Sequence, residues 1–533
     1  MSSIPTTSRW QRAFAAVNPS HSHTAFTATF LLMASTMASR LIGLVKTKYI
    51  AYLLGRSAAA DAFNAAFQLP DMLAYFLVGG AASITFVSML TRYRDAGREA
   101  EGERAMSVIL TTMTLVLGSA VVLAEFIAPF YVRLLLRGFE NDPVKAALCA
   151  HLTRILLPGQ IFFLAGGVFA AVLLVRKQFA VQAITPLVYN CGIIFGGVLL
   201  YRHLGSSSLA VGAVAGAFLG PFLLNAIWAH RAGMRYRPIL DWSNPGLHIW
   251  ARMSIPLMLG VSLVTVDNWI INYFASQTGG AISLLTYAKQ LFTAPVALGQ
   301  AAGAASLPFF ASLYGRQDRT PFTHAVNSAV SRIFAFSILL TSFMVAMALP
   351  AIDVVLRGGA IQRSDSRAMA MYFAIFSISL CLWSAQAIYA RAFYATGNTV
   401  TPMIAGTLVT LISVPVYWTL YHSIGPAGLA IASDVGILMH TITLAILLHR
   451  RRTVSLSGIN YPELLRSAIA GVTSYAALVT LRHFSFATSR LYEMALLLIA
   501  GLLWIGVSAL MLKLTGSTLA SQLFSRFARP KTA

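Results

Sequence analysis

Charged side chains are scarce in this chain, and acidic side chains are the scarcest. Only 11% of its 533 residues are charged, with 17 acidic residues against 39 basic ones. A soluble domain usually has about 25% charged residues, which it needs to cover its surface. Because 57% of the residues are hydrophobic and the mean hydropathy is +0.71, the composition indicates a polytopic membrane protein.

The sequence also lacks the motifs of common enzymes and metal sites. Its three cysteines lie far apart without a CxxC pair, so neither a disulfide framework nor a zinc site is indicated. It contains no GxxxxGK[ST], HExxH or GxSxG motif, and no DD or DxD pair. The basic residues occur in short loops between apolar runs, which is typical of topology signals rather than of a nucleic-acid groove. We therefore expect a transporter with no cofactor and no nucleic-acid partner.

Long apolar runs fill most of the chain, and each is long enough to cross a bilayer, which takes roughly 20 residues. Residues 1–24 are polar and read as a short cytoplasmic tail rather than a cleavable signal. The pattern predicts an all-α fold with about fourteen transmembrane helices. The predicted spans are 26–52, 62–90, 106–128, 148–175, 180–201, 208–230, 250–274, 282–313, 328–356, 368–396, 400–422, 426–449, 465–482 and 491–513.

The distribution of basic residues predicts the orientation of these spans. With the N-terminus inside, the inner segments carry 24 lysines and arginines and the outer segments carry 10. The positive-inside rule therefore places both termini in the cytoplasm. Five basic residues remain, and they lie within spans or at their ends: Arg40, Lys46, Lys48, Arg154 and Lys289.

An internal repeat divides the chain. The segment AASITFVSML at 81–90 matches AASLPFFASL at 304–313, and QFAVQAITP at 178–186 parallels FYATGNTVTP at 393–402. Each copy would hold six helices, so the two lobes would be related by a pseudo-twofold axis along the membrane normal. We predict the following organisation: tail 1–24, N-lobe 25–230, cytoplasmic linker 231–249, C-lobe 250–449, two extra helices in 450–514, and a cytoplasmic tail 515–533.

The first predicted span raises a question of energy, because ASRLIGLVKTKYIAYLLG at 38–55 carries three cations. A bare cation in hydrocarbon costs at least about 2.5–3.5 kcal/mol on insertion scales. A wet cavity, an anionic partner or escape to the interface must offset this cost. Because a helix turns 100° per residue, Arg40, Lys46 and Lys48 cannot all line one face of a straight helix.

Several motifs together resemble those of the MviN/MurJ family. They are SRLIGLVK at 39–46, ADAFNAAFQLPDML at 60–73, SLPFFASL at 306–313, RAFYATGNTVTP at 391–402 and GPAGLAIA at 425–432. The resemblance implies a fold of the MOP flippase superfamily and movement of lipid II, the peptidoglycan precursor carried on undecaprenyl diphosphate. It also implies a cationic cavity between the lobes, a lipid-tail groove at the last two helices, and energy from the membrane potential or from a Na⁺ or H⁺ gradient.

Two motifs depart from the family pattern. In LPDMLAYFLVGGAAS, Ala74 and Tyr75 stand where the family has arginines, and Gly79 stands where it has a glutamate. In YAKQL, Lys289 and Gln290 replace an Asp/Asn-Arg pair. A flippase for another polyprenyl-diphosphate-linked glycan therefore stays open as an alternative, as does a cation-coupled exporter of the multidrug type.

Candidate site residues follow from these observations. We expect the cations of a substrate cavity to be Arg40, Lys46, Lys289 and Lys48. The resemblance matches Arg40 to the family's helix 1 arginine. We expect carboxylates that bind a coupling ion, or form structural ion pairs, at Asp61, Asp267 and Asp434. A diphosphate is a suitable partner for such cations, because it offers many acceptor oxygens. The oligomeric state is not readable from the sequence.

Overall fold

A computed structural model describes residues 25–78, 81–176, 178, 180–259, 263–315, 319–483 and 489–517. The regular secondary structure of this part of the chain is entirely helical, without a β-strand and with only an isolated bridge between Gly358 and Ile361. The predicted all-α membrane fold is therefore confirmed. Helices suit a membrane because they satisfy their backbone hydrogen bonds internally.

The chain forms two compact units, Met1–Tyr49 with Ala58–Leu259 and Ile50–Ser57 with Gly260–Ala533. The helices that begin in the first unit are α1 Ala25–Leu54, α2 Ala58–Ala66, α3 Gln68–Leu73, α4 Ala81–Asp95, α5 Glu99–Leu135, α6 Pro143–Leu156, α7 Gly159–Val175, α8 Ala180–Leu204, α9 Ser207–Ala217, α10 Asn225–Arg231 and α11 Pro245–Leu259. Those of the second unit are α12 Leu263–Ala275, α13 Ala281–Tyr314, α14 Thr320–Ala346, α15 Ala348–Val355, α16 Arg363–Ile378, α17 Leu380–Ala395, α18 Val400–Ile424, α19 Pro426–Arg450, α20 Tyr461–His483 and α21 Arg490–Leu514.

Ten helical segments among the described residues are long and apolar enough to cross a membrane, or eleven if the bent pair α16 and α17 is one span. The three other predicted spans fall on α1, on the interrupted run α2 to α4, and on α11 with α12. The count of fourteen stays a prediction, as do the domain boundaries and the rotation relating the two lobes.

Glycines bring α8 and α9 of the first unit into close contact. A Cβ atom added to Gly196 would lie 2.5 Å from the Cα atom of Gly212, and one added to Gly192 would lie 2.5 Å from that of Gly216. The GxxxG spacing on α9 therefore serves backbone packing, since helices in lipid associate through van der Waals contact between small residues.

The regular α-helical pattern that begins with α9 is interrupted around Pro221, which cannot donate a backbone hydrogen bond. A π-helical turn, Phe218–Leu224, connects α9 to α10 there. The side-chain amide of Asn225 donates to the Pro221 carbonyl at 2.8 Å and to the Gly166 carbonyl on α7 at 3.3 Å. This amide therefore links the π-helical turn to α7 within the first unit.

In the second unit, α13 packs closely on α17, and the last two helices pack on α14. A Cβ atom added to Gly299 would lie 2.6 Å from the Cβ atom of Ser384, so this contact requires glycine. The indole of Trp504 on α21 donates to the Leu339 carbonyl on α14 at 3.0 Å. Polar contacts of this kind attach the helices predicted to lie outside the repeat to the second unit.

Candidate functional site

The three cations of the opening stretch lie on one uninterrupted helix, α1. Arg40, Lys46 and Lys48 are all half-buried. Among the described residues, Arg40 forms no ion pair or hydrogen bond, so its guanidinium is available to an anion. The described residues therefore do not supply the carboxylate partner that a purely structural Arg40 would need.

Lys46 has an opposite charge nearby in the first unit. It interacts electrostatically with Asp71 on α3, but the two groups form neither a hydrogen bond nor an ion pair within 4 Å. Asp71 itself is exposed to a cavity of about 390 Å³. Sequence reasoning did not select Asp71 as a site residue, although QLPDML was a visible signal because its aspartate is isolated in an apolar run.

Asp61 forms a buried ion pair in the first unit. Its Oδ2 atom lies 2.8 Å from the Nζ atom of Lys145, and the side chains are 0% and 7% exposed. Lys145 also lies over the ring of Phe139, with its Nζ atom 4.1 Å from the centroid. This contact joins α2 to α6 and favours the structural interpretation of Asp61.

In the second unit, the structure brings together two predicted site residues, Asp267 on α12 and Lys289 on α13. Asp267 is 1% exposed, and its carboxylate accepts from the ammonium of Lys289 and from the hydroxyl of Tyr417. The Ser433 hydroxyl donates to Asp267 Oδ2 at 2.9 Å, and Lys289 also donates to Asn268 Oδ1 at 2.7 Å. Lys289 is therefore held in an ion pair, and the sequence did not reveal its proximity to Asp267, Tyr417 and Ser433 because these residues come from three other helices.

Asp434 belongs to the same region of the second unit. It lies on α19 one residue after Ser433 and interacts electrostatically with both Asp267 and Lys289. It is half-buried, and its Oδ1 atom has no hydrogen-bond partner among the described residues. We call Asp267, Lys289, Tyr417, Ser433 and Asp434 the second-unit polar cluster.

This cluster combines carboxylate and hydroxyl oxygens with one ammonium group inside a helical bundle. Such groups are costly in a membrane protein and commonly mark ion or substrate pathways. The described residues contain no group of three or more His, Cys, Asp or Glu side chains that would hold a transition metal.

Comparison with known proteins decides the family. The model of the family described as "Lipid II flippase MurJ" matches residues 50–501. The chain belongs to the MurJ family. MurJ proteins are transporters, which agrees with the transporter expected from the sequence. The chain is a multi-pass inner-membrane protein.

Individual MurJ relatives agree with this assignment. The chain is 27% identical to the probable lipid II flippase MurJ of Vibrio cholerae over 84% of this chain and 87% of the relative. It is 23% identical to that of Treponema pallidum, covering 92% and 94%, and 26% identical to the lipid II flippase MurJ of Burkholderia cenocepacia, covering 80% and 84%.

Solved structures show the same fold. A lipid II flippase MurJ in an inward closed conformation aligns with a TM-score of 0.76 and 20% identity, covering 91% of this chain and 99% of that one. A multidrug resistance MATE family transporter of the MOP superfamily, in an inward-facing conformation, aligns with a TM-score of 0.66 and 16% identity, covering 80% and 99%. At these identities the likeness concerns the fold alone.

Proposed function

We propose that this protein moves lipid II from the inner to the outer leaflet of the bacterial inner membrane, for cell-wall synthesis, by alternating access. The observation that carries the proposal is the MurJ family match over residues 50–501. Relatives that cover most of the chain bear the name lipid II flippase, and the composition and helical fold suit a cargo that stays in the membrane.

The anionic headgroup of the cargo requires cations at membrane depth. We assign Arg40 as the principal diphosphate contact, because its guanidinium has no ion-pair partner among the described residues and matches the family's helix 1 arginine. Lys46 and Lys48, on the same helix, are secondary contacts in this proposal. Charge-assisted hydrogen bonds to the diphosphate offset the cost of burying these cations.

Coupling to an ion is assigned to the second-unit polar cluster. Asp267 and the unpartnered Asp434 Oδ1 atom provide carboxylate oxygens for Na⁺ or a proton, and the ammonium of Lys289 now occupies Asp267. An entering cation must therefore displace Lys289. This competition frees Lys289 for the anionic headgroup and ties ion binding to cargo binding, a reciprocal coupling in the thermodynamic sense.

The two last helices provide a surface for the polyprenyl tail. Leu491, Leu498 and Leu502 on α21 are 72–80% exposed, and α20 and α21 pack on α14. Apolar side chains that face outward suit a hydrocarbon chain. We further propose that both termini lie in the cytoplasm, following the 24 to 10 distribution of basic residues.

Complementation tests the proposal. The gene should restore growth and lipid II exposure on the outer leaflet in a strain depleted of its own lipid II flippase, whereas Arg40→Ala should restore less. The MATE-like fold makes a multidrug exporter the second candidate. Drug resistance without complementation would support that candidate, and restored export of a different polyprenyl-linked glycan would redirect the cargo assignment.

A further inference from the structure

The cavity beside Asp71 has the composition of an ammonium-binding pocket. It has a volume of about 390 Å³ and lies entirely within the first unit, where its lining includes Phe67, Asp71, Gln160, Phe163 and Tyr189. We propose that this pocket binds a primary ammonium group on the peptide part of the cargo. The inference rests on the proposed function and names a second part of the same substrate.

The charge of the pocket points to a cation. Asp71 is the only charged residue in its lining, and its carboxylate accepts no hydrogen bond among the described residues. Lys46 is close enough to interact with Asp71 but makes no ion pair with it. A carboxylate inside a membrane protein without a direct partner is costly, and a cationic ligand group would remove that cost.

The pocket has as many acceptor side chains as a primary ammonium group has N–H donors. Such a group has three N–H donors and no acceptor. The pocket offers the Asp71 carboxylate, the Gln160 amide and the Tyr189 hydroxyl, which come from α3, α7 and α8. Gln160 is 7% exposed, and neither its amide nor the Tyr189 hydroxyl has a hydrogen-bond partner among the described residues. These polar groups therefore lack partners that a ligand would supply.

The remaining walls favour an organic cation over a bare metal ion. Phe163 and Tyr189 meet edge to face with their centroids 5.2 Å apart, and Phe67 contributes a third ring. Aromatic faces attract ammonium groups through their quadrupole. A cavity of about 390 Å³ would remain mostly empty around one dehydrated ion, whereas it accommodates an aminoalkyl side chain.

Two forms of lipid II provide the test. One carries a stem peptide with a free side-chain amine, and in the other that amine is acetylated. Both are titrated onto the full-length protein in nanodiscs, for the wild type, for Asp71→Asn and for the matched control Asp95→Asn, which changes an exposed aspartate at the end of α4. We expect the wild type and the control to prefer the free amine roughly ten- to a hundredfold, as for one charge-assisted contact. Asp71→Asn should bind both forms equally and as tightly as the wild type binds the acetylated form.

Equal affinities in the wild type, or a preference that persists in Asp71→Asn, would overturn the proposal. If Asp71→Asn does not fold, Gln160→Leu and Tyr189→Phe take its place, and each should reduce the preference severalfold. Replacing sodium by potassium in the buffer should leave the preference unchanged. If the preference for the free amine disappears when sodium is removed, the pocket is assigned to a metal ion instead.

A soluble probe separates this proposal from the proposed function. Nα-acetyl-lysine amide should bind the wild type and lose binding in Asp71→Asn, and its Nε-acetylated form should bind neither. If the protein binds this amine but neither form of lipid II, the lipid II assignment fails and the pocket stands. If it binds lipid II in both forms equally and ignores the soluble amine, the pocket assignment fails and the flippase stands.

Discussion

Replacing Lys145 with methionine should destabilise the first unit by about 3–5 kcal/mol, because it leaves the Asp61 carboxylate buried without its counter-ion. The Nζ and Oδ2 atoms are 2.8 Å apart, and the Asp61 side chain is fully buried. Methionine keeps most of the apolar volume of lysine, so the loss comes from the charge rather than from a cavity. The lost contact of the ammonium with the Phe139 ring contributes about 0.5–2 kcal/mol of the total.

The double variant Asp61→Asn with Lys145→Met should recover most of this stability, since it removes both charges together. Reversible unfolding in mixed micelles and thermal unfolding in nanodiscs would measure the difference, with Lys513→Met as a control at an exposed lysine. A loss below about 1 kcal/mol in Lys145→Met, typical of exposed pairs, would refute the reasoning. Transport in the double variant then decides the role of Asp61. If the double variant is stable and still transports, the role of Asp61 is structural. If it is stable but inactive, Asp61 takes part in coupling.

Three further outcomes follow from single positions. Arg40→Ala should weaken lipid II binding in nanodiscs roughly ten- to a hundredfold while the protein still inserts, and Arg40→Lys should keep part of the affinity. Unchanged transport in Arg40→Ala would contradict the assignment of Arg40 to the diphosphate. Gly196→Leu should cost about 1–3 kcal/mol in thermal unfolding by separating α8 from α9, whereas Gly118→Leu, which meets no atom within 4 Å, should not. The Ser243 hydroxyl lowers the pKa of Asp241 in the loop after α10, so the stability that this contact provides is complete above the unfolded pKa of about 4 and is lost as the pH falls through the folded pKa. Limited proteolysis of this loop against pH should show that acid loss in the wild type and not in Asp241→Asn.

The family and much of the candidate site were open to sequence reasoning. The motifs around Arg40 and at 391–402 predicted the MurJ family, which the family match confirms. The scarcity of charge predicted helices in a membrane, because lipid admits few polar groups and the helix satisfies its own backbone. The GxxxG spacing on α9 is typical of close helix contact in lipid, and the glycines of α8 meet it. Arg40 itself stood out because a cation inside an apolar run has a cost that must be offset.

Motifs and hydropathy patterns could not predict which residues distant in sequence form pairs. Lys145 counted only as a basic residue of an outer segment, yet it lies against Asp61, 84 positions earlier. Lys289 was expected as a cavity cation, but it is bound by Asp267, whose carboxylate also accepts from Tyr417, 150 positions later.

The sequence by itself determined which residues are too costly to bury without a partner, since that cost depends on residue type and on the apolar length around it. Only the tertiary structure decided which partner each one has, because helix packing sets which faces meet. The carboxylate of Asp71 shows the difference most clearly. The segment QLPDML already shows that Asp71 has no charged neighbour in sequence. The amide, hydroxyl and aromatic rings around its carboxylate come from helices that only the fold brings together.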